Sequence, residues 1–225
     1  MTSAPGSKRP EKSEPALDVA VVVVSAFQQN CSILRDPTTG EAVVVDPGDD
    51  LDEILAAAKE RDAKLVGIVG THGHVDHVGR AGELRARTGL PIWGPGVEDK
   101  FWLDGIPMQA RLFGLGAFTA FAPDRWLKDG ESIEFGNVRL EVRHCPGHTP
   151  GEMVLVHRPS QLVVAGDVLF AGSIGRTDFP QGDYDTLIAS IRGKLLTLPD
   201  EFRVLPGHGP MTTIGEEKRT NPFLQ

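Results

Sequence analysis

The chain has 225 residues, 40% of them hydrophobic, and a formal charge of −8. That length and apolar share suit one soluble domain with a substantial core, and the acidic balance disfavours nucleic acid as a partner. No apolar run approaches membrane-spanning length, and two cysteines, Cys31 and Cys145, are too few for a disulfide framework.

Residues 1–18 are dominated by Pro, Ser and charge and read as a disordered tail. They lack the apolar core of a signal peptide, and Glu11 and Glu14 do not suit an Arg-rich transit peptide. The expected compartment is the cytoplasm, whose reducing conditions also fit the cysteine count. A domain is expected over 19–225. It opens with a β-branched run at 19–27, read as a buried strand, then strands at 31–35 and 41–46 and a helix near 50–61. A strand at 65–70 leads into a histidine-rich loop, followed by a helix near 78–88. Residues 93–126 look irregular and hold all three Trp and four of the ten Phe, as either a pocket wall or a core cluster. Hairpins follow, 132–135 with 138–144 and 152–157 with 161–165. A helix near 184–197 and a strand near 202–205 complete the pattern. Strands, a helix and a second strand set predict an α+β chain of two packed sheets with helices outside.

The loop after the strand at 65–70 reads Thr71-His72-Gly73-His74-Val75-Asp76-His77. Four potential ligands fall within six residues, at spacings that let one loop wrap a cation. A helical His-Glu-x-x-His motif does not occur. Three further candidates each follow an apolar stretch and sit among Gly and Pro, where backbones can crowd an ion: His148, Asp167 and His208. Singly, each would be an ordinary turn residue; together they make a ligand set. Seven ligands suit two divalent cations. One division gives His72, His74 and His148 to the first and Asp76, His77 and His208 to the second, with Asp167 bridging. Two such cations share a hydroxide and lower its pKa toward neutrality. With only nitrogen and oxygen donors, zinc, iron and manganese all remain open.

The pattern resembles the metallo-β-lactamase superfamily, and most closely its type II glyoxalases, the hydroxyacylglutathione hydrolases. The resemblance runs from about Val19 to Gln225. It is carried by residues 71–77, Gly147-His148-Thr149-Pro150-Gly151, Gly166-Asp167 and Pro206-Gly207-His208-Gly209. Gly175-Arg176-Thr177-Asp178-Phe179 and the ending Asn221-Pro222-Phe223-Leu224-Gln225 look like a short bacterial subgroup, which ends where longer relatives add a helical domain. The resemblance implies an αββα sandwich of two mixed β-sheets with outer helices. It implies the same division of ligands, with Asp167 as bridging carboxylate. The best-known lactamase class would carry Cys in place of Asp167. The longer glyoxalases also place a Tyr after the last metal histidine, where this chain has Gly209-Pro210-Met211, and a Lys where it has Arg176. Few contacts to glutathione are therefore expected.

A metal-held hydroxide attacks an acyl carbon readily, so the leaving group decides the substrate. A thiol of pKa about 8.5 departs without a proton donor, whereas an amine needs one. The spare histidines do not supply it: His157 is expected to be solvated and His144 to be a satisfied supporting or core residue. The expected substrate is a small-molecule hydroxyacyl thioester such as S-lactoylglutathione, with Asp76 orienting the hydroxide as well as ligating. Arg176 suits a substrate carboxylate, or else an internal ion pair with Asp178 or Asp183. Cys145, near His148, reads as a small buried residue. The alternative is a mononuclear iron persulfide dioxygenase using His72, His148 and Asp167, as Gly175-Arg176-Thr177-Asp178-Phe179 also resembles those enzymes.

Overall fold

Runs of β-branched residues broken by Gly, Pro and Asp set the strand order. In the computed structural model, which describes residues 14–225, they build two sheets. The first comprises β1 (Asp18–Val24), β2 (Gln29–Arg35), β3 (Glu41–Val45), β4 (Lys64–Val69) and β5 (Ile92–Trp93), in that spatial order. β1, β2 and β3 are antiparallel neighbours; β3, β4 and β5 are parallel. Helices α1 (Leu51–Glu60), α2 (Val75–Val78), α3 (Ala81–Thr88), α4 (Lys100–Asp104) and α5 (Ile106–Leu112) accompany it. The second sheet is built from β6 (Ser132–Phe135), β7 (Val138–His144), β8 (Met153–His157), β9 (Leu162–Gly166), β12 (Arg203–Pro206) and β13 (Thr212–Thr213). Only its β9–β12 pair is parallel. A small hairpin, β10 (Leu169–Phe170) with β11 (Ser173–Ile174), precedes α6 (Tyr184–Ser190); α7 (Ile214–Thr220) lies near the C-terminus.

Three layers of apolar contact hold this together. Val43 and Val45 of β3 meet Leu155 of β8 and Val164 of β9 between the sheets. Their neighbours Ala42 and Val44 face the other way, onto Leu51, Ile54 and Leu84 of the helices. Val154, Val163 and Ala165 likewise face Leu187 and Ile191. Strands buried on both faces must read as unbroken apolar runs, as β3, β8 and β9 do. The expected αββα sandwich of mixed sheets is the observed architecture. Among the described residues no helix is long and apolar enough to cross a membrane.

Several boundaries differ from expectation. The strand at 19–27 ends at Val24; Ser25 and Gln28 take positive φ and turn the chain into β2. β1 lies at the sheet edge, so Val23 is 56% exposed rather than buried. The helix near 78–88 is two pieces, α2 and α3, and the helix near 184–197 becomes a π-turn at Ile191–Leu195. The region 93–126 contains α4 and α5. It divides between both expected roles: Phe118 and Phe121 join the core, while Phe101, Trp102 and Phe113 line a cleft. α7 went unread; Thr213 caps it, its side chain accepting from the Glu216 N–H. The tail expectation lies outside the described residues for 1–13. From residue 14 onward, the Leu17 N–H donates to Ser160 Oγ at 2.7 Å and Glu14 lies 3.4 Å from His157. That cover buries His157, which is 1% exposed and not solvated.

The turn after β2 holds a buried carboxylate with a stability role. Asp36 accepts from the Thr38 N–H and hydroxyl, the Thr39 hydroxyl and the Asn137 N–H, tying the first sheet to the β6–β7 turn. Burial opposes its charge, but bonds from Thr38 and Asn137 outweigh that and hold its pKa well below the usual range. A depressed carboxylate stabilises the fold above its unfolded pKa of about 4. That contribution is lost as pH falls toward the folded value. Asp36→Ala is expected to cost about 2 kcal/mol, lowering the melting temperature by about 5 °C at pH 7. The gap should narrow below about pH 4. An unchanged melting curve at pH 7 would remove this role.

Candidate metal centre

β7 and β9 each run antiparallel to β8, and β12 runs parallel to β9. The loops after β7, β9 and β12 therefore leave the same edge of the second sheet, and carry His148, Asp167 and His208. The loop after β4 brings His72 and His74, and Asp76 and His77 follow on α2. All seven residues singled out from the sequence meet here. Ring nitrogens of His72, His74 and His148 lie within 4.8 Å of one another, as do donor atoms of Asp76, His77 and His208. Asp167 touches both groups: Oδ1 is 3.2 Å from His77 Nε2, and Oδ2 is 3.6 Å from His148 Nε2 and 3.8 Å from His208 Nε2. The approach is close enough that a Cβ on Gly207 would lie 2.3 Å from Asp167 Oδ1.

The hydrogen bonds decide which ring nitrogen faces inward. His148 Nδ1 donates to the Arg176 carbonyl at 2.7 Å and His208 Nδ1 to the Phe27 carbonyl at 3.0 Å. His77 Nδ1 faces Asp46 Oδ2 at 2.9 Å, and His72 Nδ1 faces Glu152 Oε1 at 3.4 Å. A neutral imidazole donating on one side presents a lone pair on the other. Four Nε2 atoms therefore point inward, each offering a lone pair when its ring is neutral. His148 Nε2 and His72 Nε2 sit 2.9 and 3.1 Å from His74 Nδ1, and His77 Nε2 sits 3.2 Å from His208 Nε2. Asp167 Oδ1 is buried without a hydrogen-bond partner. Facing lone pairs and carboxylates repel unless positive charge lies among them, so this donor set fits divalent cations.

Electrostatics points the same way. Burial, with His77 and His74 nearby, keeps His72 neutral, and burial with His148 presses His74 down to about 3. Burial also disfavours charge on His77, but Asp167 and Asp76 outweigh it and hold its pKa well above the usual range. Burial would raise Asp167, yet His77 and His148 keep it well below the usual carboxylate range. The carboxylates thus draw positive charge to His77 while His72 and His74 stay neutral, and Asp167 stays ionised.

Supporting residues went unnoticed in the sequence. Asp46 accepts from the Thr71 N–H and hydroxyl as well as facing His77. Asp99 accepts from the Gly73 and Gly151 N–H groups and the Thr149 hydroxyl, clamping together the two loops that carry His72, His74 and His148. Burial raises its pKa to about 6. Glu152 accepts from the Asp167 N–H at 2.6 Å. Asn30 receives the chain beside His208: its N–H donates to the Gly207 carbonyl at 2.7 Å. Only the Asp46-Pro47-Gly48 turn carried a sequence signal; the others are single polar residues at unremarkable spacing. His144 Nε2 bonds the Pro150 carbonyl at 2.7 Å, a satisfied supporting role. Cys145 is fully buried, its thiol pushed up to about 12 by burial. Arg176 lies at the cleft but pairs with Asp178 through two bonds of 2.7 Å, the internal ion pair among its two expected roles; Asp183 instead caps α6.

The cluster floors a cleft of about 770 Å³. Comparisons with known proteins agree with this geometry. The model of the metallo-beta-lactamase superfamily matches residues 24–208. A hydroxyacylglutathione hydrolase, GloC, of Haemophilus influenzae is 46% identical over 209 residues, 92% of this chain and 98% of the relative. The structure of TTHA1623 in a di-iron-bound form matches with TM-score 0.83 and 38% identity, covering 91% of this chain and all of that one. The B3 metallo-beta-lactamase BLEG-1 matches with TM-score 0.85 and 35% identity, covering 92% of this chain and all of that one.

Proposed function

The chain belongs to the metallo-beta-lactamase superfamily, and from that membership we propose that it hydrolyses hydroxyacyl thioesters, S-lactoylglutathione among them. The observation that carries the substrate class is the 46% identity, over nearly both full lengths, to a hydroxyacylglutathione hydrolase. In this reading His72, His74 and His148 would hold one divalent cation and Asp76, His77 and His208 a second, with Asp167 available to both. Zinc and iron both suit the donors, and manganese is compatible. Bound cations supply Lewis acidity toward the carbonyl and an acidified water. The residues do the rest. Asp167 and Asp76 hold the anionic charge that the cations require. Asp76, partly exposed with Oδ2 3.3 Å from His208 Nε2, takes the proton of the attacking water. The water oxygen adds to the acyl carbon, the carbon–sulfur bond breaks, and the thiolate leaves with its electron pair. No proton donor is needed for that departure.

The persulfide dioxygenase alternative uses only His72, His148 and Asp167 and gives no purpose to the second triad. It is less well supported than hydrolysis. Metal exchange separates the two. Thioester cleavage is expected to proceed without oxygen and to survive replacement of iron by zinc; a dioxygenase needs iron's redox change. His77→Ala, which removes a donor of the second triad together with its contacts to Asp46 and Asp167 but keeps His72, His148 and Asp167 themselves, is expected to cut thioester turnover at least about tenfold. Oxygen consumption with glutathione persulfide by the iron form, no thioester cleavage by the zinc form and full activity of His77→Ala would together overturn the reading. A β-lactam belongs in the same assay because of the BLEG-1 likeness, and is expected to be turned over far more slowly than the thioester.

A further inference from the structure

Above the ligand cluster the cleft is walled almost wholly by apolar side chains. Met108 and Leu112 on α5 are 73% and 77% exposed, an unusual state for large hydrophobic residues. Phe113, at the end of α5, meets Phe27 from the β1–β2 turn edge-on, ring centroids 5.5 Å apart, closing one side. On the other side Phe179 stands 5.1 Å from the His74 ring. Charge complementary to a peptide carrier is missing. Among the described residues lining the cleft, Arg176 is the sole Lys or Arg. Its guanidinium pairs with Asp178 at the exposed rim and lies 4.1 Å over the Phe179 ring. Glutathione carries two carboxylates at neutral pH, and the cleft walls offer them one cationic side chain, Arg176, among otherwise mostly apolar groups that desolvate charge at a cost.

We propose, resting on the thioester reading above, that the cleft selects thioesters bearing an aryl or alkyl group and that Met108, Leu112 and Phe113 set this preference. An aromatic or alkyl group laid along α5 covers side chains that otherwise face water, within a cleft of the size small-molecule sites have. A tenfold preference corresponds to about 1.4 kcal/mol. Removing roughly 55 Å² of apolar surface from water supplies that, and a phenyl ring or hexyl chain offers more.

The test compares S-lactoylglutathione with S-hexanoylglutathione and with the lactoyl thioester of benzyl thiol. The metal-loaded enzyme is expected to give a kcat/KM at least tenfold higher for one or both apolar thioesters, chiefly through KM. Leu112→Lys should collapse that ratio at least fivefold, and Leu112→Met should preserve it; the Leu112 side chain is too exposed for either change to interfere with folding. Binding is measured separately by calorimetry, with S-hexylglutathione against S-methylglutathione, neither of which can be hydrolysed. At least tenfold tighter binding of the hexyl ligand is expected, weakened in Leu112→Lys. Equal kcat/KM values with equal binding would overturn the preference while leaving thioester hydrolysis standing. Tighter hexyl binding without turnover of any thioester would uphold the apolar site and overturn the hydrolase reading instead.

Discussion

Asp167→Ala is expected to abolish thioester turnover and strip the protein of metal. Asp167 faces the inward Nε2 atoms of both histidine groups. Neighbouring carboxylates are committed elsewhere: Glu152 to the Asp167 N–H, Asp46 to Thr71 and His77, Asp76 to His208. Loss of an outer partner of a metal ligand costs 10–100-fold in affinity or activity, so loss of the proposed bridge should cost at least about a hundredfold. Elemental analysis of the purified variant, read with its turnover, checks this, and an unchanged far-UV spectrum separates it from misfolding. Full metal loading with normal turnover would take Asp167 out of the site.

Gly48→Ala is expected to be severe although residue 48 contacts no substrate. A Cβ there would stand 1.6 Å from the Asp76 carbonyl oxygen and 2.5 Å from its carbon. These are backbone atoms, which cannot rotate away. Either α2 moves, carrying Asp76 and His77 out of register with His208, or the 46–50 loop moves and releases Asp46 from Thr71. Overpacking of this kind costs about 3 kcal/mol or more, a drop of about 6–12 °C in melting temperature, with most metal lost. Gly193→Ala is the control, since a Cβ there meets nothing within 4 Å. It should remain within about 1 kcal/mol of the parent. A Gly48→Ala protein melting like Gly193→Ala and retaining its metal would contradict the close packing of the two loops.

The candidate ligands were legible because their chemistry is dense: four of the seven fall within residues 72–77, and the others stand beside glycines at strand ends. The sandwich was legible because strands buried on both faces must be apolar at every position, as at 42–45, 153–156 and 162–165. What stayed hidden depends on partners remote in the chain. Val23 has the composition of a core residue but stands on an edge strand. His157 looks solvated until Glu14 and Leu17 cover it. Asp99 is an ordinary acidic residue until two loops, near 73 and near 151, present their N–H groups to it.

The sequence by itself determined the donor types and their attachment to strand ends, because ligand chemistry and β-branched periodicity are local properties. Only the tertiary structure decided that β7, β9 and β12 point their loops to one edge, that the five clustered histidines each turn a ring nitrogen inward, and that Arg176 pairs with Asp178. Only it laid Met108 and Leu112 open along the cleft, because their exposure depends on how α5 packs beside the site and not on their own chemistry.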